Sequence, residues 1–166
     1  ATFFLVSQLM GTTNIWMERV GYPSAQLMTW SSAKELLKQG FAVGSHSRSH
    51  SSLTQLDEAK VSDEVQGSRQ DIENILGTPI RYFAYPFGHV DDRARKAVER
   101  CGYMAACSTQ SGFNNASTDR FQLRRLDIRG TDSTRDFIRS LVFGENSMTS
   151  RKAAQYYLKR FVGKIF

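Results

Sequence analysis

All three histidines of the chain fall in two short segments, Gly44-Ser45-His46-Ser47-Arg48-Ser49-His50 and Pro86-Phe87-Gly88-His89. His46 and His50 stand four residues apart, a spacing that lets two imidazoles face one side of a helical turn and share a divalent metal. Zinc suits imidazole ligands, and a reference pKa near 6.5 leaves most imidazole in its neutral, ligating form at pH 7. A working site also needs a third ligand, usually a carboxylate, and an open position for water. Taken alone, the H-x-x-x-H spacing favours two polar surface histidines over a metal pair. Its position directly behind the apolar run Phe41-Ala42-Val43 sets the two readings level.

The second segment offers another chemistry. Pro86-Phe87-Gly88 is a turn by composition, and ordinary turn chemistry accounts for it. Its functional reading is a rigid loop that aims the Phe87 N–H into a cleft as an oxyanion donor, a contribution of about 10²–10³ in rate where such donors have been removed. His89 follows at the same cleft face, where it is either a solvated loop residue, the preferred reading, or a substitute proton donor or substrate contact. Arg81 shares strand parity with Phe83 and Tyr85, so an inward Arg81 would require a carboxylate. A buried ion pair that loses one partner typically costs about 3–5 kcal/mol. On physical grounds alone, an Arg81 at the outer end of the strand, reaching solvent, is preferred.

Short apolar runs alternating with amphipathic stretches must position these loops. Strands are expected at Thr2 to Val6, Phe41 to Val43, Arg81 to Tyr85, Tyr103 to Cys107 and Phe121 to Ile128. Helices are expected at Ser31 to Gln39 (capped by Ser31 or Ser32 and stopped at Gly40), Gln55 to Leu76, Asp91 to Arg100, Ser133 to Val142 and Ser150 to Val162. Strand alternating with helix at this spacing means βα units and a mainly parallel sheet. In such architectures functional groups collect where strands end, so the two histidine loops should open on one face. Five strands in 166 residues fall short of an eight-stranded barrel, which typically needs about 250. An incomplete or distorted barrel, or an open α/β sheet, fits.

Composition narrows the classes. Hydrophobic residues make up 40% and charged residues 23%, a globular balance rather than a disordered one. No apolar run approaches the roughly 20 residues of a membrane span. Net charge is +6, but basic and acidic residues alternate until the segment Arg151 to Lys164, so no nucleic-acid stripe is expected. That last cluster reads as a solvated helix face, with an acidic polymer or lipid headgroups as the other option. Cys101 and Cys107, at opposite ends of an expected strand, are too far apart to bridge and read as buried thiols. The chain opens inside an apolar strand with no basic leader before it, and is expected to be an N-terminally truncated piece of one domain, 1–166, with a helical extension over 144–166.

Thr2-Phe3-Phe4, Leu27-Met28-Thr29-Trp30, the His46–His50 segment with Leu53, and Arg81-Tyr82-Phe83-Ala84-Tyr85-Pro86-Phe87-Gly88 resemble, in order and spacing, the polysaccharide deacetylase family (NodB homology, carbohydrate esterase family 4). The resemblance runs from Ala1 to about Phe143, with Cys107 to Asn114 and Leu123-Arg124-Arg125-Leu126-Asp127 matching later strands. It implies a distorted, incomplete (β/α) barrel and metal-dependent removal of N-acetyl groups from an N-acetylated polysaccharide. His46 and His50 would be metal ligands, zinc first among metals. Arg81 would position a catalytic aspartate, the Phe87 N–H would be the oxyanion donor, and Tyr85 and Pro86, from the same motif, would contact substrate. By the same resemblance the partner is an N-acetylated poly- or oligosaccharide, not nucleic acid, and the location is the cell envelope or outside it.

Two family motifs are missing. The aspartate pair of the T-F-D-D motif, third ligand and base, belongs just upstream of Ala1, and the late L-x-L-H histidine, the general acid, has no counterpart after His89. The chain alone is therefore expected to be inactive. Two further readings stand beside the deacetylase: a non-catalytic carbohydrate-binding relative, and a same-fold hydrolase of small-molecule C–N bonds.

Overall fold

The computed structural model describes residues 1–145. Four short strands, β1 (Thr2–Leu5), β2 (Ala42–Ser45), β3 (Tyr82–Ala84) and β4 (Ala105–Cys107), lie side by side in chain order, all parallel. Parallel neighbours need long crossovers. Helix α1 (Trp30–Lys38) lies between β1 and β2, and α4 (Asp92–Arg100) between β3 and β4. Between β2 and β3 run α2 (Glu58–Ser62) and α3 (Ser68–Leu76), joined by a π-helical turn at Asp63–Gly67, and α5 (Thr134–Phe143) follows β4. Sequential order is how a barrel grows, whereas an open doubly wound sheet reverses order at a switch point. The fold is the distorted, incomplete (β/α) barrel, not the open sheet.

Local chemistry sets the element ends. Thr29 caps α1, its Oγ1 accepting from Ser32 N at 3.2 Å, so the cap lies before the two serines expected to serve. Asp57 caps α2 and Asp91 caps α4, accepting from Lys60 N at 2.9 Å and Ala94 N at 2.8 Å. Ser133 and Asp136 form a reciprocal capping box on α5, which stops at the left-handed Gly144. The expected single helix from Gln55 to Leu76 is interrupted by the π-turn. Within it the Val65 carbonyl accepts from Ser68 Oγ and from Tyr103 OH, both at 3.0 Å.

The expected strand from Phe121 to Ile128 contributes only one parallel bridge, Leu123 to Cys107. Leu123 N donates to Ala106 O and Ser108 N to Leu123 O, both at 2.9 Å, while the neighbouring amides go to side chains: Asp119 Oδ1 accepts from Phe121 N and Asn114 Oδ1 from Arg124 N, each at 2.9 Å. Beyond it Arg125 N donates to Gln110 O at 2.9 Å, past the end of β4.

The core lies between the sheet and its helices. Phe83 is fully buried at its centre, with Tyr85 and Tyr103 edge-on at centroid distances of 5.3 Å. Val61, Val65 and Ile72 from the interrupted helix and Ala94 and Val98 from α4 close over it. Cys101 and Cys107 are free thiols, as expected, but half-buried rather than buried. Among the described residues no helix is long and apolar enough to cross a membrane. The helix expected at Ser150 to Val162, the basic cluster within it and nearly all of the 144–166 extension lie outside the described residues.

Candidate metal centre

Because β2 and β3 run parallel, with Ser45 paired to Phe83, the segments that follow them emerge on the same face. His46 continues β2, its N–H donating to Leu5 O at 2.8 Å. Its Nδ1 lies 2.6 Å from the Ala84 carbonyl. A carbonyl only accepts, so Nδ1 carries the proton and Nε2 presents its lone pair, the arrangement that orients a ligating histidine. Ser47 and His50 both adopt left-handed backbone, with φ of 67° and 62°. That conformation costs roughly 1–2 kcal/mol per residue, and the bond from His50 N to the buried Ser47 Oγ (3.0 Å) helps hold it.

The resulting bend brings the two imidazoles together, ring centroids 4.8 Å apart and nearly perpendicular. His50 is buried beneath the indole of Trp16, stacked at 4.0 Å and 11°, with the Phe87 ring edge-on at 4.7 Å. Burial lowers the pKa of His46, helped by the charge of Arg125 and opposed by the bond to Ala84. Burial, then the neighbouring His46, pushes His50 down to about 4. Both rings are neutral at pH 7. The Nδ1 of His50 is buried with no hydrogen-bond partner, an orphaned lone pair or proton of the kind that a ligand satisfies. The pair fits two ligands of a zinc-type ion, but among the described residues no group of three His, Cys, Asp or Glu side chains completes one.

The loop is held from behind. Glu64, buried on the π-turn, accepts from Arg48 N at 2.8 Å, Ser49 N at 3.0 Å and Ser49 Oγ at 2.5 Å. The Arg48 guanidinium forks onto Asp71 (2.9 and 3.0 Å) and reaches Asp63 (2.7 Å). Asp71 also accepts from Ser7 Oγ at 2.8 Å. Burial would raise the Asp71 pKa, but the bonds from Arg48 and Ser7 and the Arg48 charge bring it below its usual value. A Cβ on Gly67 would lie 2.8 Å from Arg48 Cδ, so glycine is what lets the arginine pass. Arg48, Glu64 and Asp71 thus brace the loop rather than face the histidines.

The turn after β3 supplies the opposite wall. Phe87 is left-handed (φ 57°), and the turn is closed by Gly88 N to Tyr85 O (2.9 Å) and His89 N to Pro86 O (3.2 Å). Gly88 has φ of 72°, and a Cβ there would stand 2.0 Å from Thr109 Oγ1 and 2.6 Å from Thr109 N. Left-handed strain and overpacking together predict that Gly88→Ala destabilises the fold by about 3 kcal/mol. A urea midpoint equal to that of the parent protein would refute this.

Tyr85 and Pro86, expected to contact substrate, are enclosed instead, and Arg81 lies at the outer end of its strand. Tyr85 is fully buried, sharing the inward face of β3 with Phe83, and burial pushes its phenol pKa up. Pro86 beneath the turn is equally enclosed. Neither can touch a substrate. Arg81 is exposed and precedes the first residue of β3. Three residues short of Ala84, it lies about 10 Å back along the strand from the carbonyl that holds His46. It is exposed at the outer end of the strand.

His50, Phe87 and Trp16 line a cavity of about 860 Å³ together with Ser49, Ser52 and His89. His89 is exposed, and its Nδ1 lies 3.0 Å from Ser52 Oγ. Sequence reasoning missed Trp16 and Glu64. Trp16 sits in a polar loop with no periodicity to single it out. Glu64 carried a signal: beside Val65 and three residues after Val61, it is a carboxylate on the buried stripe of its helix.

A family model for polysaccharide deacetylases matches residues 1–106, the stretch that holds β1 to β3, both histidine loops and α4. YxkH of Bacillus subtilis (strain 168), described as a candidate polysaccharide deacetylase, is 24% identical over 101 residues, 61% of this chain and 36% of that protein. The crystal structure of BC0361, a polysaccharide deacetylase from Bacillus cereus, is 26% identical with a TM-score of 0.70, covering 85% of this chain and 41% of that one. Streptococcus pyogenes deacetylase PplD, solved in complex with acetate, shares the fold at 22% identity and a TM-score of 0.71, over 84% of this chain and 57% of that one. The chain thus spans from about a third to somewhat over half the length of these relatives.

Proposed function

The chain belongs to the polysaccharide deacetylase family, and from that premise we propose that it carries the metal-binding half of a hydrolase that removes N-acetyl groups from an N-acetylated polysaccharide. The observation that carries the reading is the neutral His46–His50 pair, one tautomer fixed by Ala84 O and the other ring clamped between Trp16 and Phe87, at the edge of a cavity. A divalent ion in such a site, zinc first by ligand chemistry, supplies polarisation of an acyl carbonyl and a lowered pKa for bound water.

The residues of this chain do the positioning. His46 offers Nε2 and His50 its unpartnered edge, while Glu64 and Arg48 keep the loop from relaxing its two left-handed residues. The Phe87 amide is the oxyanion donor of this reading, held by a turn whose closing bonds come from its neighbours. An envelope or extracellular location goes with a polymeric substrate of this kind.

Among the described residues no carboxylate joins the two histidines, so this chain alone should bind zinc weakly and release little acetate. That same feature favours the second reading, a carbohydrate-binding relative without chemistry. Acetate release from N-acetylglucosamine oligomers separates the two. The full-length protein should turn over with zinc or cobalt and stop with a chelator. A full-length protein that binds metal and releases no acetate from any N-acetylated polymer would overturn the deacetylase reading.

A further inference from the structure

We propose that α5, with the basic residues that follow it, docks on the surface of an anionic lipid bilayer. A surface helix ordinarily turns its apolar stripe to the core and its polar face to water. Helix α5 does the reverse. Phe137, Ile138, Leu141 and Val142 are all exposed, Ile138 by 54% and Val142 by 52%, whereas the residue that α5 buries is Ser140. At about 100° per residue, the four apolar side chains fall within about 140° of arc, with Arg135 at its edge and Ser140 on the other side of the helix. Phe113, 57% exposed, extends the patch: its ring lies where α5 stops, 2.9 Å from the position that a Cβ on Gly144 would take. An apolar surface of this kind marks a place where something docks.

Charge says what that is. Residues 146–166 contain Arg151, Lys152, Lys159, Arg160 and Lys164 and no Asp or Glu, so this stretch carries five of the six net positive charges of the chain. Tyr156, Tyr157 and Phe161 stand among them, residue types that settle at the boundary between headgroups and acyl chains. An apolar stripe edged by arginine and continued by a basic, aromatic sequence is what an anionic bilayer holds. The apolar side chains enter below the headgroups and the cations meet lipid phosphate, each Lys or Arg near the surface strengthening the attachment by about fivefold.

Other occupants meet only half of this chemistry. A second copy of the chain, paired about a two-fold axis, would cover the stripe but set the same arginines and basic stretches against one another. An acidic polymer would match the charge and leave Phe137, Ile138, Leu141 and Val142 in water. The inference stands apart from the deacetylase reading, because none of these residues lines the cavity beside His50.

Co-sedimentation of the full chain with two kinds of vesicle tests this, one of phosphatidylcholine alone and one of phosphatidylcholine and phosphatidylglycerol in equal parts. The chain should bind the mixed vesicles at least about tenfold more tightly at roughly 0.05 M salt, and lose most of that preference at roughly 0.5 M. Ile138→Glu with Leu141→Glu, both at exposed positions, should weaken binding at least about tenfold and leave the urea midpoint unchanged. Exchanging the five basic residues of 146–166 for Gln should remove the salt-sensitive part of the binding. In Val142→Trp, brominated lipid should quench emission beyond its effect on the Trp16 and Trp30 of the parent chain. Equal binding to both vesicles, binding to neither, or a glutamate pair that binds as tightly as the parent would overturn the inference, the last pointing to charge alone. A urea midpoint lowered by the glutamate pair without lipid would show that another part of the protein covers α5, and a dimer dissolved by that pair would show that a second copy does. Either result overturns the assignment to lipid.

Discussion

Exchanging His50 for alanine is expected to weaken zinc binding at least a hundredfold, and His46→Ala to do the same. Groups that merely orient a metal-binding histidine are worth about 10–100-fold in affinity, so losing the ligand itself must cost at least the upper end of that range. The two substitutions should differ in their structural consequences. His46 anchors the loop to β3 through Ala84 O, so its loss also frees a carbonyl on the neighbouring strand. His50 fills the slot between Trp16 and Phe87, so its loss opens a gap beneath the indole and should shift tryptophan emission even without metal. Competition against a zinc-binding dye measures the affinities independently of turnover. Either alanine variant holding zinc as tightly as the parent protein would end the reading of these histidines as ligands.

What could be read from the sequence, and what could not, divides along a physical line. Apolar periodicity located β1 to β4 and the helices between them because each element buries one face, and burial writes itself into residue type at fixed spacing. Parallel pairing then followed from strand–helix alternation, and with it the convergence of His46, His50 and Phe87 on one face. The roles given to Tyr85 and Pro86 came from a motif rather than from their environment. Strand parity already argued against Tyr85, since it shares a face with Phe83 and that face is the core. Arg81 has the same parity but lies before β3 begins, where alternation no longer binds a side chain to the interior. The segment from Phe121 to Ile128 has strand composition, yet two of its amides, Phe121 N and Arg124 N, are claimed by the side chains of Asp119 and Asn114, a competition that apolar periodicity does not record. Trp16 depends in the same way on where a loop folds back, over His50.

Glu64→Ala is expected to lower stability by about 2–4 kcal/mol, more than a surface carboxylate would, because it orphans several donors at once. Arg48 N, Ser49 N and Ser49 Oγ all donate to this one side chain, and an unsatisfied, largely enclosed donor typically costs about 1–3 kcal/mol. The π-turn is the reason that a carboxylate can be there. Running from Asp63 to Gly67, it puts Glu64 beneath the loop, turns the Val65 carbonyl to Tyr103 OH and Ser68 Oγ, and places Gly67 where Arg48 must pass. A helical irregularity therefore holds the histidine loop in its two left-handed residues, as π-turns often do near functional sites. Glu64→Gln keeps an oxygen for the two amides and an NH₂ that the Ser49 hydroxyl can accept from, so it should recover most of the stability lost in the alanine variant. Zinc affinity should follow the same order, with Glu64→Ala weaker than the parent by about 10–100-fold and Glu64→Gln close to it. Urea unfolding and zinc titration read the two effects separately. A Glu64→Ala protein with the parent's urea midpoint and zinc affinity would show that the loop holds its shape without the carboxylate.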